Sequence, residues 1–240
     1  MNLITTIIFD FDGTLADTAT VIVDTMRRTF TDMGMPVPDE EDMRRTIGMK
    51  LLLALAKLGN LSDLQAVDAT ERYKKFFKEY AVDKVLLFPE VAQTLHGLQE
   101  KGIRMAIATS RNAESLETIL ANNDIALCFE KIVSNSDNLA PKPEPEMVLT
   151  LLQRMGVGAG ETLVVGDTTF DIEMGKRAGC RCCAVTWGNH DRETLASAGP
   201  DFYIDKFSEL LTILDRLNIV QCTFSKKKSL PTASSSRATS

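Results

Sequence analysis

Short apolar segments alternate with amphipathic segments along most of the chain. The apolar segments have the length of buried strands, and the amphipathic segments repeat their apolar positions with the period of a helix. Apolar strands separated by helices are typical of a parallel sheet with helices on both faces. The pattern therefore predicts a Rossmann-like α/β fold. The predicted strands are 3–9, 103–108, 131–133, 162–165 and 181–185, and the predicted helices are 91–101, 113–122, 145–155 and 170–178.

One long interval breaks this alternation. Residues 15–83 contain no convincing strand but three helical patterns, at 19–33, 49–58 and 64–80, and a turn at 36–39 that ends in a helix N-cap. Connections within one compact domain are normally far shorter. We therefore expect a small all-helical cap domain inserted after the first strand. The predicted domains are a discontinuous core of residues 1–14 and 84–220, a cap of residues 15–83, and a disordered tail of residues 221–240.

Charge is unevenly distributed over the 240 residues. Residues 225–240 hold four basic residues and no acid, which leaves 23 basic against 33 acidic residues elsewhere, a net charge of −10. Because an acidic body repels a nucleic-acid backbone, we expect no nucleic-acid partner. No apolar run approaches the roughly 18 residues that span a bilayer, and the N-terminus lacks the basic stretch of a signal peptide. We therefore expect no membrane partner and a cytoplasmic location.

Cysteine and histidine do not form a pattern typical of a soft metal site or a disulfide framework. The five cysteines are odd in number and lack paired C-x-x-C spacing, and histidine occurs only twice. Three of the cysteines fall in residues 180–183, where they precede an apolar pair and are interpreted as small apolar residues of a buried strand. Any metal is therefore expected to be a hard ion with oxygen ligands.

Polar residues follow the predicted strands, where each strand ends. Because the carboxyl ends of parallel strands meet at one edge of the sheet, these side chains are expected to converge. Carboxylates hold Mg²⁺, lysine and hydroxyl groups hold a phosphoryl group, and one carboxylate can attack phosphorus. The edge would receive Asp10, Asp12, Thr109, Ser110, Ser134, Asp167 and Thr186, with Lys142 in the proline-stiffened loop 140–143.

The first two carboxylates are separated by one apolar residue. If the strand geometry persists, Asp10 and Asp12 point the same way and Phe11 points away. Two carboxylates so close repel each other unless they share a cation or a proton. This favours one carboxylate as a nucleophile on the metal side and the other as a proton carrier. A metal-free structural pair at a turn is the alternative.

A second acidic pair follows a later strand. Asp167 comes directly after the segment 163–165, and Asp171 lies four residues on, one helical turn away and on the same face. Asp171 would then support Lys142 or the surroundings of the metal. Taken alone, a helix-capping aspartate with a solvated partner explains Asp171 equally well.

Together these motifs resemble the haloacid dehalogenase-like hydrolase superfamily, specifically its phosphatase branch with a helical cap after the first strand. The resemblance spans roughly residues 3–217. A lone Thr or Lys is a weak signal, but all four motifs occur in order and around a helical insertion. The motifs are Asp10-Phe11-Asp12-Gly13-Thr14-Leu15, Thr109 after the segment 103–108, Lys142 between two prolines, and Gly166-Asp167 with Asp171.

The resemblance implies a role for each matching residue. Asp10 would attack phosphorus and become a transient aspartyl phosphate, and Asp12 would protonate the leaving oxygen and then deprotonate water. Mg²⁺ would be held by the carboxylates of Asp10 and Asp167 and by the backbone carbonyl of Asp12. Thr109 and Lys142 would stabilise the phosphoryl oxygens. Beyond these, Ser110 and Arg111 would contact the phosphate or the rest of the substrate, and Asp171 would be supporting.

A segment of the predicted cap also resembles the family. Residues 44–50 are similar to the cap loop that enters the active site in phosphoglycolate phosphatases, which implies that Arg45, Gly48 and Lys50 read the substrate. Charged residues that solvate helix ends are the alternative interpretation. Residues 185–188 also resemble that subgroup and its pyrophosphatase relatives.

We therefore expect a Mg²⁺-dependent phosphatase acting on a small phosphorylated metabolite, with phosphoglycolate as the nearest family substrate. A sugar phosphomutase of the β-phosphoglucomutase type and an inorganic pyrophosphatase remain open as alternatives. Dehalogenation is disfavoured because it has no use for a second aspartate at position 12. A receiver-like phosphoacceptor module is the non-enzyme alternative, and the length, the Asp-x-Asp placement and the helical insertion count against it. The sequence gives no indication of oligomeric state.

Overall fold

Residues 3–217 are described by a computed structural model of the chain. The disordered tail predicted at 221–240 lies outside the described residues. Six strands form one parallel sheet, and two shorter strands form an antiparallel ribbon. The strands are β1 (Thr6–Phe9), β2 (Ala16–Asp17), β3 (Leu86–Leu87), β4 (Arg104–Ala108), β5 (Lys131–Val133), β6 (Thr162–Gly166), β7 (Arg181–Val185) and β8 (Phe202–Ile204).

The parallel sheet has the order β5-β4-β1-β6-β7-β8, which places β1 near its centre. Ile7 and Phe9 belong to one apolar core and Ile8 to another, because successive residues of a strand face opposite sides. In register, Phe9 lies beside Ile107 on β4 and Val165 on β6. The central strands therefore end together, and the residues after them share one edge.

The predicted helices are confirmed with small shifts at their ends. Those of the core cover the two faces of the sheet, as expected for a parallel sheet. The last described residues, 209–217, are also helical. The helices are α1 (Ala19–Asp32), α2 (Glu40–Arg45), α3 (Leu51–Gly59), α4 (Asp63–Tyr80), α5 (Val91–Glu100), α6 (Ala113–Asn122), α7 (Glu146–Met155), α8 (Thr169–Arg177) and α9 (Arg192–Ala198).

Helices α1–α4 form the cap that the sequence predicted after the first strand. Asp39 is the N-cap residue of α2, as the turn at 36–39 predicted, although its side chain makes no capping hydrogen bond. The ribbon of β2 and β3 at the base of the cap was not predicted, because two residues are too few to show a period. The exact division at residues 15 and 84 stays a prediction. None of the helices in residues 3–217 combines the length and the apolar character that a membrane span requires.

Candidate active site

A buried group of charged residues lies at the carboxyl edge of the sheet. Asp10 directly follows β1, and its backbone N–H donates to the carbonyl of Val165 at 2.9 Å, which continues the strand pairing by one residue. Asp167 follows β6, and Asp171 lies in the first turn of α8. Oxygens of Asp10, Asp167 and Asp171 lie within 4.8 Å of one another. The sheet therefore brings Asp10 together with two carboxylates that lie more than 150 residues later in the sequence.

Lys142 joins two of these carboxylates. Its side chain is fully buried, and Nζ donates to Oδ1 of Asp10 and, at 2.7 Å, to Oδ1 of Asp171. Burial opposes the charge of the ammonium group, but the two carboxylates outweigh it and raise the pKa of Lys142. Lys142 therefore stays charged and holds Asp10 in place.

Asp171 has a partner for each of its oxygens. Oδ2 accepts hydrogen bonds from the backbone N–H of Thr168 at 3.0 Å and from its hydroxyl at 2.6 Å, in a capping box that begins α8. Oδ1 accepts from Lys142. Asp171 therefore caps its helix and supports Lys142 at once, and its partners are buried rather than solvated.

Asp167 is surrounded by donors. Its Oδ1 accepts from the hydroxyl of Thr14 at 3.0 Å, and its Oδ2 accepts from both the backbone N–H and the side-chain amide of Asn189, each at 2.7 Å. Burial, with the nearby charge of Asp171, raises the pKa of Asp167 to about 7, against these hydrogen bonds. Sequence reasoning missed Asn189, which lies in an irregular loop. The residue that could have drawn attention to this loop is Gly188, because a Cβ at that position would overlap the side chain of Asp167.

Asp10 differs from its neighbours in having a buried oxygen without a partner. Oδ2 makes no hydrogen bond, while Oδ1 accepts from Lys142. Burial raises the pKa of Asp10 well above its usual range. A buried carboxylate oxygen without a donor is costly unless a cation meets it. The donor set, all carboxylate oxygen with one unpartnered atom, fits a hard divalent cation.

Asp12 is bound by Arg111. The Nε atom of Arg111 donates to Oδ2 of Asp12 at 3.0 Å and Nη2 donates to Oδ1, and both side chains are largely buried. The guanidinium group also lies 4.6 Å from the ring centre of Phe77 on α4. Sequence reasoning expected Arg111 to contact the substrate. In this structure it ties the second aspartate of the first motif to the cap.

A cavity of about 1000 Å³ separates this edge from the cap. Asp10 and Asp12 both line it, while Phe11 between them is fully buried in the core. The lining does not include the buried side chains of Lys142, Asp167 and Asp171, which lie next to Asp10. The lining also includes Thr109, Ser110, Arg111, Gly48 and Lys50.

Two of the predicted cap residues reach the cavity and one does not. The hydroxyl of Ser110 donates to the carbonyl of Gly48 at 2.7 Å, which seats the cap loop on the core. Lys50 lines the cavity. Arg45 is 66% exposed and pairs with Glu41 at 2.5 Å, on a separate cleft of the cap.

Of the other hydroxyl residues predicted at the edge, one lines the cavity and two do not. Thr109 is buried in the lining, where its Oγ1 accepts the backbone N–H of Arg111 at 3.1 Å. Ser134 caps a short helical turn through Asp137, and Thr186 donates to Asp205 at 2.6 Å. These last two side chains are occupied by structural hydrogen bonds.

Comparison with known proteins finds similar hydrolases and phosphatases. The family model described as haloacid dehalogenase-like hydrolase matches residues 7–185. The chain is 35% identical to a probable phosphatase, IndB, of Dickeya dadantii over 85% of this chain and 91% of that protein. It is also 32% identical to a phosphoglycolate phosphatase of Aquifex aeolicus, over 87% and 96% of the two chains.

A further relative and a solved structure extend this likeness. A putative pyrophosphatase PpaX of Clostridium perfringens is 30% identical over 90% of this chain and all of that protein. The crystal structure of a putative haloacid dehalogenase-like hydrolase from Bacteroides fragilis superposes with a TM-score of 0.83 at 28% identity, covering 86% of this chain and 99% of that one. The edge carboxylates, the helical cap and these relatives together show that the chain belongs to the haloacid dehalogenase-like hydrolase family and is a phosphatase of its phosphoglycolate phosphatase-like branch.

Proposed function

We propose that the protein hydrolyses a small phosphomonoester through an aspartyl-phosphate intermediate on Asp10. The observation that carries this proposal is the state of the Asp10 carboxylate. Lys142 holds one of its oxygens, the other lacks a partner, and the residue lines the cavity. A carboxylate that is oriented and incompletely satisfied is suited to attack phosphorus.

In the first step an Asp10 oxygen forms a bond to phosphorus while the bond to the leaving oxygen breaks. Asp12 donates the proton that the leaving oxygen needs, and Thr109, whose hydroxyl proton has no acceptor among residues 3–217, offers a donor to the phosphoryl oxygens. In the second step Asp12 accepts a proton from water, whose oxygen attacks phosphorus and releases Asp10. The positive charge of Lys142 offsets the negative charge that gathers at this edge.

The carboxylates of Asp10 and Asp167, with the backbone carbonyl of Asp12, would hold Mg²⁺. When bound, the cation supplies charge neutralisation at the phosphoryl group. Asp171 is assigned a supporting role, because Lys142 and Thr168 already satisfy both of its oxygens.

Phosphoglycolate is the substrate that we propose first. Several relatives are named phosphoglycolate phosphatase, and Lys50 in the cavity provides a cation for a carboxylate group. Pyrophosphate is the second candidate, because a relative whose whole length the chain covers is named a putative pyrophosphatase. The second phosphoryl group of pyrophosphate would interact with Lys50 in place of the carboxylate of phosphoglycolate.

A phosphate-release panel tests the proposal. Phosphoglycolate, pyrophosphate, hexose phosphates and nucleotides are each incubated with Mg²⁺ and, in parallel, with a chelator. We expect Mg²⁺-dependent release, fastest with phosphoglycolate. Failure to turn over any of them would overturn the proposal, and interconversion of hexose phosphates without release would indicate a phosphomutase.

A further inference from the structure

The two carboxylate oxygens of Asp167 accept different numbers of hydrogen bonds, one at Oδ1 and two at Oδ2. A carboxylate oxygen has about two acceptor positions, so the group offers about four. Asn189 fills both positions of Oδ2 with its backbone N–H and its side-chain amide, each at 2.7 Å. Thr14 fills only one position of Oδ1, at 3.0 Å. A cation can therefore reach this carboxylate through Oδ1 alone.

The loop that carries Asn189 is held against Asp167. The backbone N–H of His190 donates to the carbonyl of Asp167 at 3.3 Å, and the indole N–H of Trp187 donates to the carbonyl of Thr14 at 3.3 Å. Gly13 and Gly188 pass so close that a Cβ at either position would overlap the Asp167 carboxylate. Several independent contacts therefore fix the position of Asn189 beside the Asp167 carboxylate.

The number of oxygens that a carboxylate offers distinguishes divalent cations. Ca²⁺ takes six to eight oxygens in a flexible arrangement and readily uses both oxygens of one carboxylate, whereas Mg²⁺ demands an octahedron of single oxygens. A carboxylate restricted to one oxygen therefore favours Mg²⁺. Groups outside the ligand set that orient a ligand typically change metal affinity by about 10–100-fold.

We propose that Asn189 is a positioning residue that makes this site selective for Mg²⁺ over Ca²⁺, by denying Asp167 a two-oxygen contact with the cation. The inference rests on the proposed metal site of the phosphatase. It assigns to the loop after β7 a task distinct from catalysis, since Asn189 acts only through Asp167.

Isothermal titration of the full-length protein with Mg²⁺ alone and Ca²⁺ alone tests this assignment. The ratio of the Ca²⁺ to the Mg²⁺ dissociation constant is compared between the wild type and Asn189→Ala. Removal of the amide frees one position on Oδ2, so the ratio should fall by about tenfold or more. Asn189→Leu keeps the volume of the side chain without its donors and should give the same fall.

Thr14→Val is the matched control, because it removes one hydrogen bond from the same carboxylate but from Oδ1. It leaves Oδ2 blocked, so the ratio should stay within about twofold even if both affinities weaken. An unchanged ratio in both Asn189 variants, or an equal fall in Thr14→Val, would overturn the inference while the proposed function stands. Failure of the wild type to bind Mg²⁺ would overturn both the inference and the metal part of the proposed function.

Discussion

The sheet edge and the cap wall of the cavity hold their charged groups in opposite ways. At the sheet edge, Asp10, Lys142 and Asp171 are buried and joined to one another. On the cap wall, Lys74 is exposed and pairs with Glu71 of its own helix. Buried charges must be matched by partners, whereas exposed pairs contribute little. We therefore expect the chemistry to depend on the rigid buried cluster, and substrate recognition to depend on exposed charges that can exchange a weak partner for a ligand.

Asp10→Asn should have the largest effect on activity. The amide is a far weaker nucleophile than the carboxylate, so we expect turnover to fall by at least about 10³-fold. The fold should survive, because Lys142 keeps Asp171 as a partner. Phosphate release and thermal unfolding measure the two effects, with the exposed Asp24→Asn as control. Near-normal turnover would rule out Asp10 as the nucleophile.

Lys142→Met should have the largest effect on stability. Loss of the ammonium group leaves the buried carboxylates of Asp10 and Asp171 without their cation, which costs about 3–5 kcal/mol. Lys74→Met removes an exposed lysine from the cap wall of the cavity and should change the free energy of unfolding little. Urea unfolding of the metal-free proteins measures both, and equal losses in the two variants would abolish the contrast between the regions.

Arg111→Met tests the contact that joins the two regions. The variant keeps an apolar stem beside Phe77 but loses the ion pair with Asp12. If Arg111 positions Asp12 for proton transfer, kcat/KM should fall about 10–100-fold for alkyl phosphates and much less for p-nitrophenyl phosphate, whose leaving group needs no proton. Equal losses for both substrates would mean that Arg111 serves the phosphoryl group instead.

The pH dependence of stability should report the buried cluster. The pKa of Asp167 is raised to about 7 in the folded protein, so the folded state binds more protons than the unfolded state between pH 4 and 7. The metal-free protein should therefore lose stability as the pH rises from about 4 to about 7, with a fall of a few degrees in Tm that levels off above pH 7. Asp167→Asn should flatten this fall, and Mg²⁺ should reverse it at pH 8. A Tm that rises over this range would contradict the assignment.

The same contrast explains what the sequence could predict. Asp10 and Asp167 were located correctly because each follows an apolar strand, and parallel strands end at a common edge. Asn189 follows no period, since it lies in an irregular loop whose path depends on contacts with Asp167. For Arg45, the cap-loop resemblance competed with a local signal. Glu41 precedes Arg45 by four residues on α2, and the ion pair that this spacing allows keeps the arginine side chain on the cap surface.

The smallest expected effect comes from comparing Lys50 with Arg45. Both were predicted from the same cap segment, but only Lys50 lines the cavity. Lys50 lines the cavity, and no carboxylate among residues 3–217 forms an ion pair with it, so its charge is free for the substrate. Lys50→Gln should raise KM for phosphoglycolate several-fold with kcat nearly unchanged, as expected for loss of uniform binding. Arg45→Gln breaks the exposed ion pairs with Glu41 and Asp42 and should leave both constants unchanged. Steady-state kinetics with p-nitrophenyl phosphate, which lacks a second anion, should show no change in either variant. A higher KM in Arg45→Gln would mean that the cap turns α2 toward the cavity when substrate binds.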